Sequence, residues 1–167
     1  MLEQYYNIHE ATGINFTIKQ DGTAIINACS ISIVNNRLNF EKKLTDISGI
    51  EELSKQLPQK TIIAINICGR GVLQKQVEKI EDIDQNSFSQ ILPNARMEEF
   101  YIQNFVSGSN SFVSVIRKTE ADKYINQLIV LGHIPLMLSL GPFPLKSTTA
   151  VAVAVKVVLA ALVISIL

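Results

Sequence analysis

The feature that most constrains this chain is the run Thr61 to Cys68, TIIAINIC, a near-continuous apolar stretch of strand length. It has no helical stripe and no alternation, so it reads as a β-strand buried on both faces. A strand of that kind needs a sheet around it. The sequence supplies candidates on either side.

From Gly13 the residues alternate with period two: Ile14, Phe16 and Ile18 fall on one face, Asn15, Thr17 and Lys19 on the other. Asp21-Gly22 provides the positive-φ turn of a tight hairpin. Thr23 to Val34 is the return strand, and Arg37 to Leu44 follows Asn35-Asn36 as a third. Ile47 to Leu57 carries Ile50, Leu53 and Leu57 at helical spacing and stops at Pro58. The first part, residues 1–68, therefore reads β-β-β-α-β.

Beyond Gly69-Arg70-Gly71, Val72 to Ile80 alternates again. Asp84 to Leu92 reads as a short helix capped by Asp84, with Phe88, Ile91 and Leu92 facing inward. Glu99 to Val106 and Ser111 to Lys118 are strands joined at Ser107-Gly108-Ser109-Asn110. Thr119 is placed to cap a helix reaching Leu131, with Glu120 and Asp122 at the positive end of its dipole. Gly132 ends that helix, and Ile134 to Leu140 is a final apolar strand. Residues 69–143 thus read β-α-β-β-α-β, the ferredoxin-like order. The expected class is α+β, in two small docked layers.

Charge excludes one class of function. The 167 residues hold 15 basic and 15 acidic side chains, so there is no basic excess to neutralise phosphates, and nucleic acid is not an expected partner. Lys146 and Lys156 are the only charges after Phe143, which leaves 13 bases against 15 acids before it, a net of −2. The N-terminal MLEQYYNIHE has none of the features of a signal peptide, so the front of the chain is expected in the cytoplasm.

Residues 144–167 form a greasy tail. Twenty residues at helical rise cover about 30 Å, the thickness of a bilayer's hydrocarbon. The eleven Val, Leu and Ile residues from Val151 onward favour insertion by about 3 to 7 kcal/mol, against a cost of about 3 kcal/mol for Lys156. The tail reads as a hydrophobic C-terminal helix able to span a membrane. Burial in the protein or against a partner is the other reading.

The chemical motifs are incomplete. Gly69-x-Gly71 after a buried strand suggests a phosphate loop, but position 74 is Gln and no Lys-Ser/Thr follows. Asp82-x-Asp84-x-Asn86 opens like a calcium loop, yet Ser87 stands where Gly is needed and Pro93 where a bidentate Glu is needed. His9 and His133 are isolated, and Cys29 and Cys68 sit in strand patterns typical of core thiols. No G-x-S-x-G elbow occurs, and Glu98-Glu99 point to opposite faces of a strand. The expectation is no catalytic residue, no cofactor and no metal. Phe100, Tyr101 and Phe105 read as core or as a protein-binding surface; a base-stacking platform is the third reading.

The order β-β-β-α-β followed by β-α-β-β-α-β resembles the front half of an actin-like, ribonuclease H-like fold with an inserted ferredoxin-like subdomain. The residues that carry the resemblance are Gly69-Arg70-Gly71-Val72-Leu73-Gln74-Lys75, Leu92-Pro93-Asn94-Ala95, Phe100 to Phe105, Ser111 to Lys118 and Leu138 to Phe143. Over about residues 12 to 143 the chain is similar to the type IV pilus assembly protein M and type II secretion protein L family, notably its Bacteroidetes variants. That resemblance implies a cytoplasm-facing scaffold or adaptor on the inner-membrane platform of a pilus or secretion system. The implied partners are platform proteins, including the cytoplasmic ATPase, with the membrane reached through the tail.

The family's ATP-binding members have Gly-Ile-Asp where this chain has Gly13-Ile14-Asn15, and they use a second lobe, so nucleotide binding is not implied. A nucleotide switch built on Asp21 and the Gly69-Gly71 loop is the rival expectation, and a ferredoxin-like RNA binder the third. The partner-binding residues expected on the inserted subdomain are Phe100, Tyr101, Gln103, Phe105, Ser111 and Val113, reached by β-augmentation along the Phe100 to Val106 and Ser111 to Lys118 strands.

Overall fold

Strand β4 (Ile62–Gly69), the apolar run, pairs in parallel with β1 (Glu10–Ile18) on one side and with β8 (Ile134–Leu140) on the other. The computed structural model describes residues 10–35 and 37–142. The expected tail, 144–167, lies outside them, as does Phe143. β1 turns at Asp21-Gly22 into β2 (Ala24–Val34), which pairs antiparallel with β3 (Arg37–Ile47). The resulting sheet has the order β3-β2-β1-β4-β8.

Helices α1 (Ile50–Lys55) and α3 (Lys118–Val130) cover one face of this sheet. The face they bury is the one the alternation of β1 picks out: Ile14 and Phe16 join Ile63, Ile65 and Ile67 of β4, all fully buried, with Leu53 and Leu128 from the helices. Phe16 stacks on Tyr124 of α3 with ring centroids 4.7 Å apart. Each such side chain contributes about 2 kcal/mol of apolar burial.

A second sheet has the order β5-β7-β6, formed by β5 (Leu73–Glu78), β6 (Phe100–Ser107) and β7 (Asn110–Arg117). Helix α2 (Gln85–Ile91) packs on it through Phe88 and Ile91. Asp84 caps α2 as the sequence indicates: its carboxylate accepts from Ser87 N at 2.8 Å, and Ser87 Oγ accepts in return from Asp84 N.

Here the structure departs from the ferredoxin-like expectation. The β-α-β-β-α-β series does not close into one sheet, because β8 pairs with β4 and takes α3 with it. The second sheet is a β-α-β-β insertion between β4 and α3. Strand order along the chain cannot say which sheet a strand joins; the alignment of Leu138 and Leu140 with Ile65 and Ile67 decides it. Two boundaries also move. Ile47 ends β3, so α1 starts only at Ile50. Helix α3 begins at Lys118 with Arg117 in the capping position and no side-chain cap, so Thr119 does not cap it.

Candidate functional site

The small sheet has two unlike faces, and the six candidate residues divide between them. On the face under α2 lie Phe100 and Val113, 7% and 2% exposed, packed with Phe88, Ile91 and Val115. The Phe88 and Phe100 rings are 5.5 Å apart, and the Arg117 guanidinium sits 4.9 Å above the Phe100 ring. Ser111 shares that side and is fully buried: its Oγ donates to Ile80 O at 3.0 Å and accepts from Ile80 N at 2.9 Å. These three side chains build the interior of the insertion, so none presents itself to a partner.

The opposite face carries Tyr101, Gln103 and Phe105, with Ile116, Ser114 and Phe112 beside them on β7. Tyr101 lies against the larger lobe, its hydroxyl donating to Asp122 of α3 at 2.9 Å and Lys118 5.6 Å from its ring. The neighbouring carboxylate raises the Tyr101 pKa above its ordinary value, with burial adding to the effect. Gln103 reaches the edge of β8, where Nε2 donates to Leu138 O at 2.9 Å and Oε1 accepts from Leu140 N at 2.8 Å. Beyond Gln103 the face opens into a groove of about 230 Å³ lined by Phe105, Phe112, Gln74, Gln76 and Pro142. Phe112, Gln74 and Gln76 escape the sequence reading; the pairing of Phe105 with Phe112 across the hairpin is the signal that finds Phe112.

Strand β7 is central, so it has no open edge for an added strand. Nor do the aromatics form a platform, since Phe100 and Tyr101 point to opposite faces and both are packed.

The glycine loop is held by close packing. A Cβ on Gly69 would stand 2.2 Å from Ile18 O, and φ is +89° there, so only glycine fits between β1 and β4. Arg70 N donates to Ile18 O at 2.9 Å, and Arg70 Nη1 donates to Gln20 O at 2.5 Å, tying the loop to the β1-β2 turn. In that turn Asp21 Oδ1 accepts from Thr23 Oγ1 at 2.7 Å and Thr23 N at 2.9 Å, and these bonds lower its pKa. Asn15 is 4% exposed; its Nδ2 donates to Thr17 Oγ1 at 3.2 Å and its Oδ1 accepts from Asn66 Nδ2 at 2.8 Å.

Glu99 accepts from Arg96 Nε at 2.8 Å and Arg117 Nη1 at 3.0 Å, chiefly the first of which lowers its pKa. His133 is 4% exposed, with Nε2 2.9 Å from Ser54 Oγ and Nδ1 unpaired, and burial lowers its pKa. Cys29 is buried, its thiol pushed up by desolvation. Among the described residues no three His, Cys, Asp or Glu side chains are grouped to hold a metal, and no helix is long and apolar enough to cross a membrane.

A five-stranded mixed sheet with both described lobe helices on one face and a small sheet inserted after β4 is a fold with solved counterparts. The chain is similar to the cytoplasmic domain of EpsL, an inner-membrane component of the type II secretion system of Vibrio cholerae, with a TM-score of 0.54 at 11% identity over 77% of this chain and 57% of that one. It is also similar to a chain of the PilM-PilN type IV pilus biogenesis complex, with a TM-score of 0.52 at 12% identity over 82% of this chain and 50% of that one. At these identities what is shared is the fold, and this chain spans 57% of the length of the first structure and 50% of the second. No protein-family model matches the chain, and no curated protein matches it in sequence.

Proposed function

We propose that this chain is a non-catalytic scaffold or adaptor of a type IV pilus or type II secretion assembly platform, working on the cytoplasmic side of the inner membrane through protein contacts. One observation carries the reading: the chain shares its fold, over 77% and 82% of its length, with components of both kinds of platform. In this reading the five-stranded lobe is an actin-like, ribonuclease H-like lobe and the β5-β7-β6 sheet is the adaptor element. One neighbour was solved as part of a PilM-PilN complex, and a PilN-like platform protein is the class of partner proposed.

The non-catalytic part is supported by how the loop residues are used. Gly69 serves strand packing, Asp21 is engaged by its own turn, and Asn15 offers an amide bonded to its neighbours rather than a carboxylate. The contact surface is the face bearing Phe105, Phe112, Gln74 and Gln76, with Tyr101 and Gln103 holding it against the lobe. Pull-down with the platform ATPase and the PilN-like component tests the proposal: the chain should retain at least one, and retention of neither at low or high salt overturns it. ATP with magnesium should leave the melting temperature unchanged. Stabilisation by about 2.7 kcal/mol at a hundredfold excess over the dissociation constant would establish a nucleotide site instead.

A further inference from the structure

The two outer strands of the five-stranded sheet are built differently. β8 is blunted: Pro135 has no N–H to offer, a register shift against β4 follows at Leu136, and the Gln103 amide takes up Leu138 O and Leu140 N. The first half of β3 has no such protection. From Arg37 to Phe40 it runs in unbroken register with Val34 to Ile31 of β2, and on its other side it pairs with no strand among the described residues. Leu38 and Phe40, two residues apart and so on one face, are each 57% exposed.

The second half of β3 is less suited to pairing. A register shift between Phe40 and Lys42 leaves Glu41 without a partner on β2. Lys42 turns to the end of α1, where its Nζ donates to Gln56 O at 3.3 Å, and Asp46 leaves the extended conformation with φ at +57°. The segment open to a new strand is therefore Arg37 to Glu41.

The sequence of that segment selects its partner. Two copies of a chain related by a two-fold axis through the sheet pair antiparallel, and such an axis sets one residue opposite itself. Centring on Asn39 sets Arg37 against Glu41 of the second copy and Leu38 against Phe40 of the second copy. Opposite charges meet, and so do apolar side chains. Centring on Leu38 matches no charges, centring on Phe40 sets Arg37 against Lys43, and centring on Glu41, Lys42 or Lys43 sets a charge against itself. Self-complementarity at Asn39 is what points to a second copy rather than to an unrelated strand.

We propose that two copies of this chain pair antiparallel along Arg37 to Glu41, about Asn39, joining their five-stranded sheets into one. The contact is short, so the dimer belongs to the weak, concentration-dependent class that buries less than about 1,200 Å². The inference is independent of the platform reading, because it concerns only the chain and its own copy.

A disulfide across the axis tests the register. In a Cys68→Ser background, with Cys29 buried, Asn39→Cys supplies the exposed thiol and faces its own copy at a cross-strand Cβ separation of about 4.5 to 5.5 Å. Under mild oxidation it should form covalent dimers at least about tenfold faster than Leu136→Cys, a likewise exposed position on the blunted edge that reports random collision. Leu38→Cys should cross-link faster with Phe40→Cys than with itself. Asn39→Cys no faster than Leu136→Cys overturns the proposal, and so does Leu38→Cys that prefers itself.

Charge reversal tests the same pairing without a new bond. By sedimentation velocity the parent chain should shift from monomer to dimer as its concentration rises. Arg37→Glu and Glu41→Arg should each dimerise less than the parent, and an equimolar mixture of the two should recover the dimer, since each supplies the charge that the other has lost. A parent that stays monomeric at every concentration overturns the proposal. Single variants that dimerise as the parent does, or a mixture no better than its components, overturn it as well.

Discussion

The side-chain amide of Gln103 does for Leu140 what a neighbouring strand would do: its Oε1 accepts the Leu140 backbone N–H at 2.8 Å, while its Nε2 donates to the carbonyl two residues earlier, at Leu138. One side chain from the small sheet thus closes part of the open edge of the large one. Residues 103 and 140 are far apart in sequence and belong to different sheets, so this amide helps fix how the insertion sits on the lobe.

Replacing Gln103 with Leu leaves both backbone groups without that partner, at a cost of about 1 to 3 kcal/mol by urea unfolding. Gln103→Glu is the sharper variant. As a carboxylate it sets an oxygen against the Leu138 carbonyl, and when protonated it restores the donor. Relative to the parent, it should lose most stability at neutral pH and recover as pH falls through the carboxylate range near 4 to 5. A deficit independent of pH would show that the amide's donor role is unimportant.

His133 gives a second pH dependence of opposite sense. Its pKa is lowered by burial from an ordinary 6.5, so the unfolded chain binds a proton at pH values where the folded chain does not. The stability this group contributes is complete above about 6.5, falls as pH drops through that value, and levels off below the lowered folded pKa. His133→Gln, which retains an amide for Ser54, should flatten the stability profile between pH 7 and 5. A profile as steep as that of the parent would assign the slope to other groups.

The sequence makes legible whatever depends on neighbours along the chain. The period of Ile14, Phe16 and Ile18 marks the helix-covered face, and Asp84 with Ser87 marks the start of α2. The sheet to which β8 belongs depends on side chains of β4 some seventy residues earlier, and no local pattern encodes it. The candidate surface is half legible for a related reason. Alternation separates Phe100 from Phe105 by face only once the strand's start is known, and which face meets α2 is a tertiary fact.

Gly69 and Gly71 both have φ near +88°, but they differ in surroundings. A methyl group on Gly71 meets nothing within 4 Å, whereas one on Gly69 runs into Ile18 O. Gly71→Ala should therefore cost about 1 kcal/mol, the strain of a left-handed residue. Gly69→Ala should cost several times that, because β1 and β4 must also separate. Thermal unfolding of the two variants checks the order. Comparable losses would mean that the loop, rather than the strand contact, takes up the strain.

Phe100 and Phe105 lie on one strand and face opposite ways, which makes them a matched pair for separating folding from binding. Phe100→Ala empties the space between Phe88, Val113 and Arg117 and should cost about 3 to 5 kcal/mol, enough to unfold the insertion. Phe105 is only partly buried and lines the groove with Phe112, so Phe105→Ser should cost less stability and remove apolar area from the proposed contact face. Pull-down with the platform component should then weaken at least about tenfold for Phe105→Ser, corresponding to about 1.4 kcal/mol, while circular dichroism stays that of the parent. Undiminished binding by a folded Phe105→Ser chain would move the contact surface away from this face of the insertion.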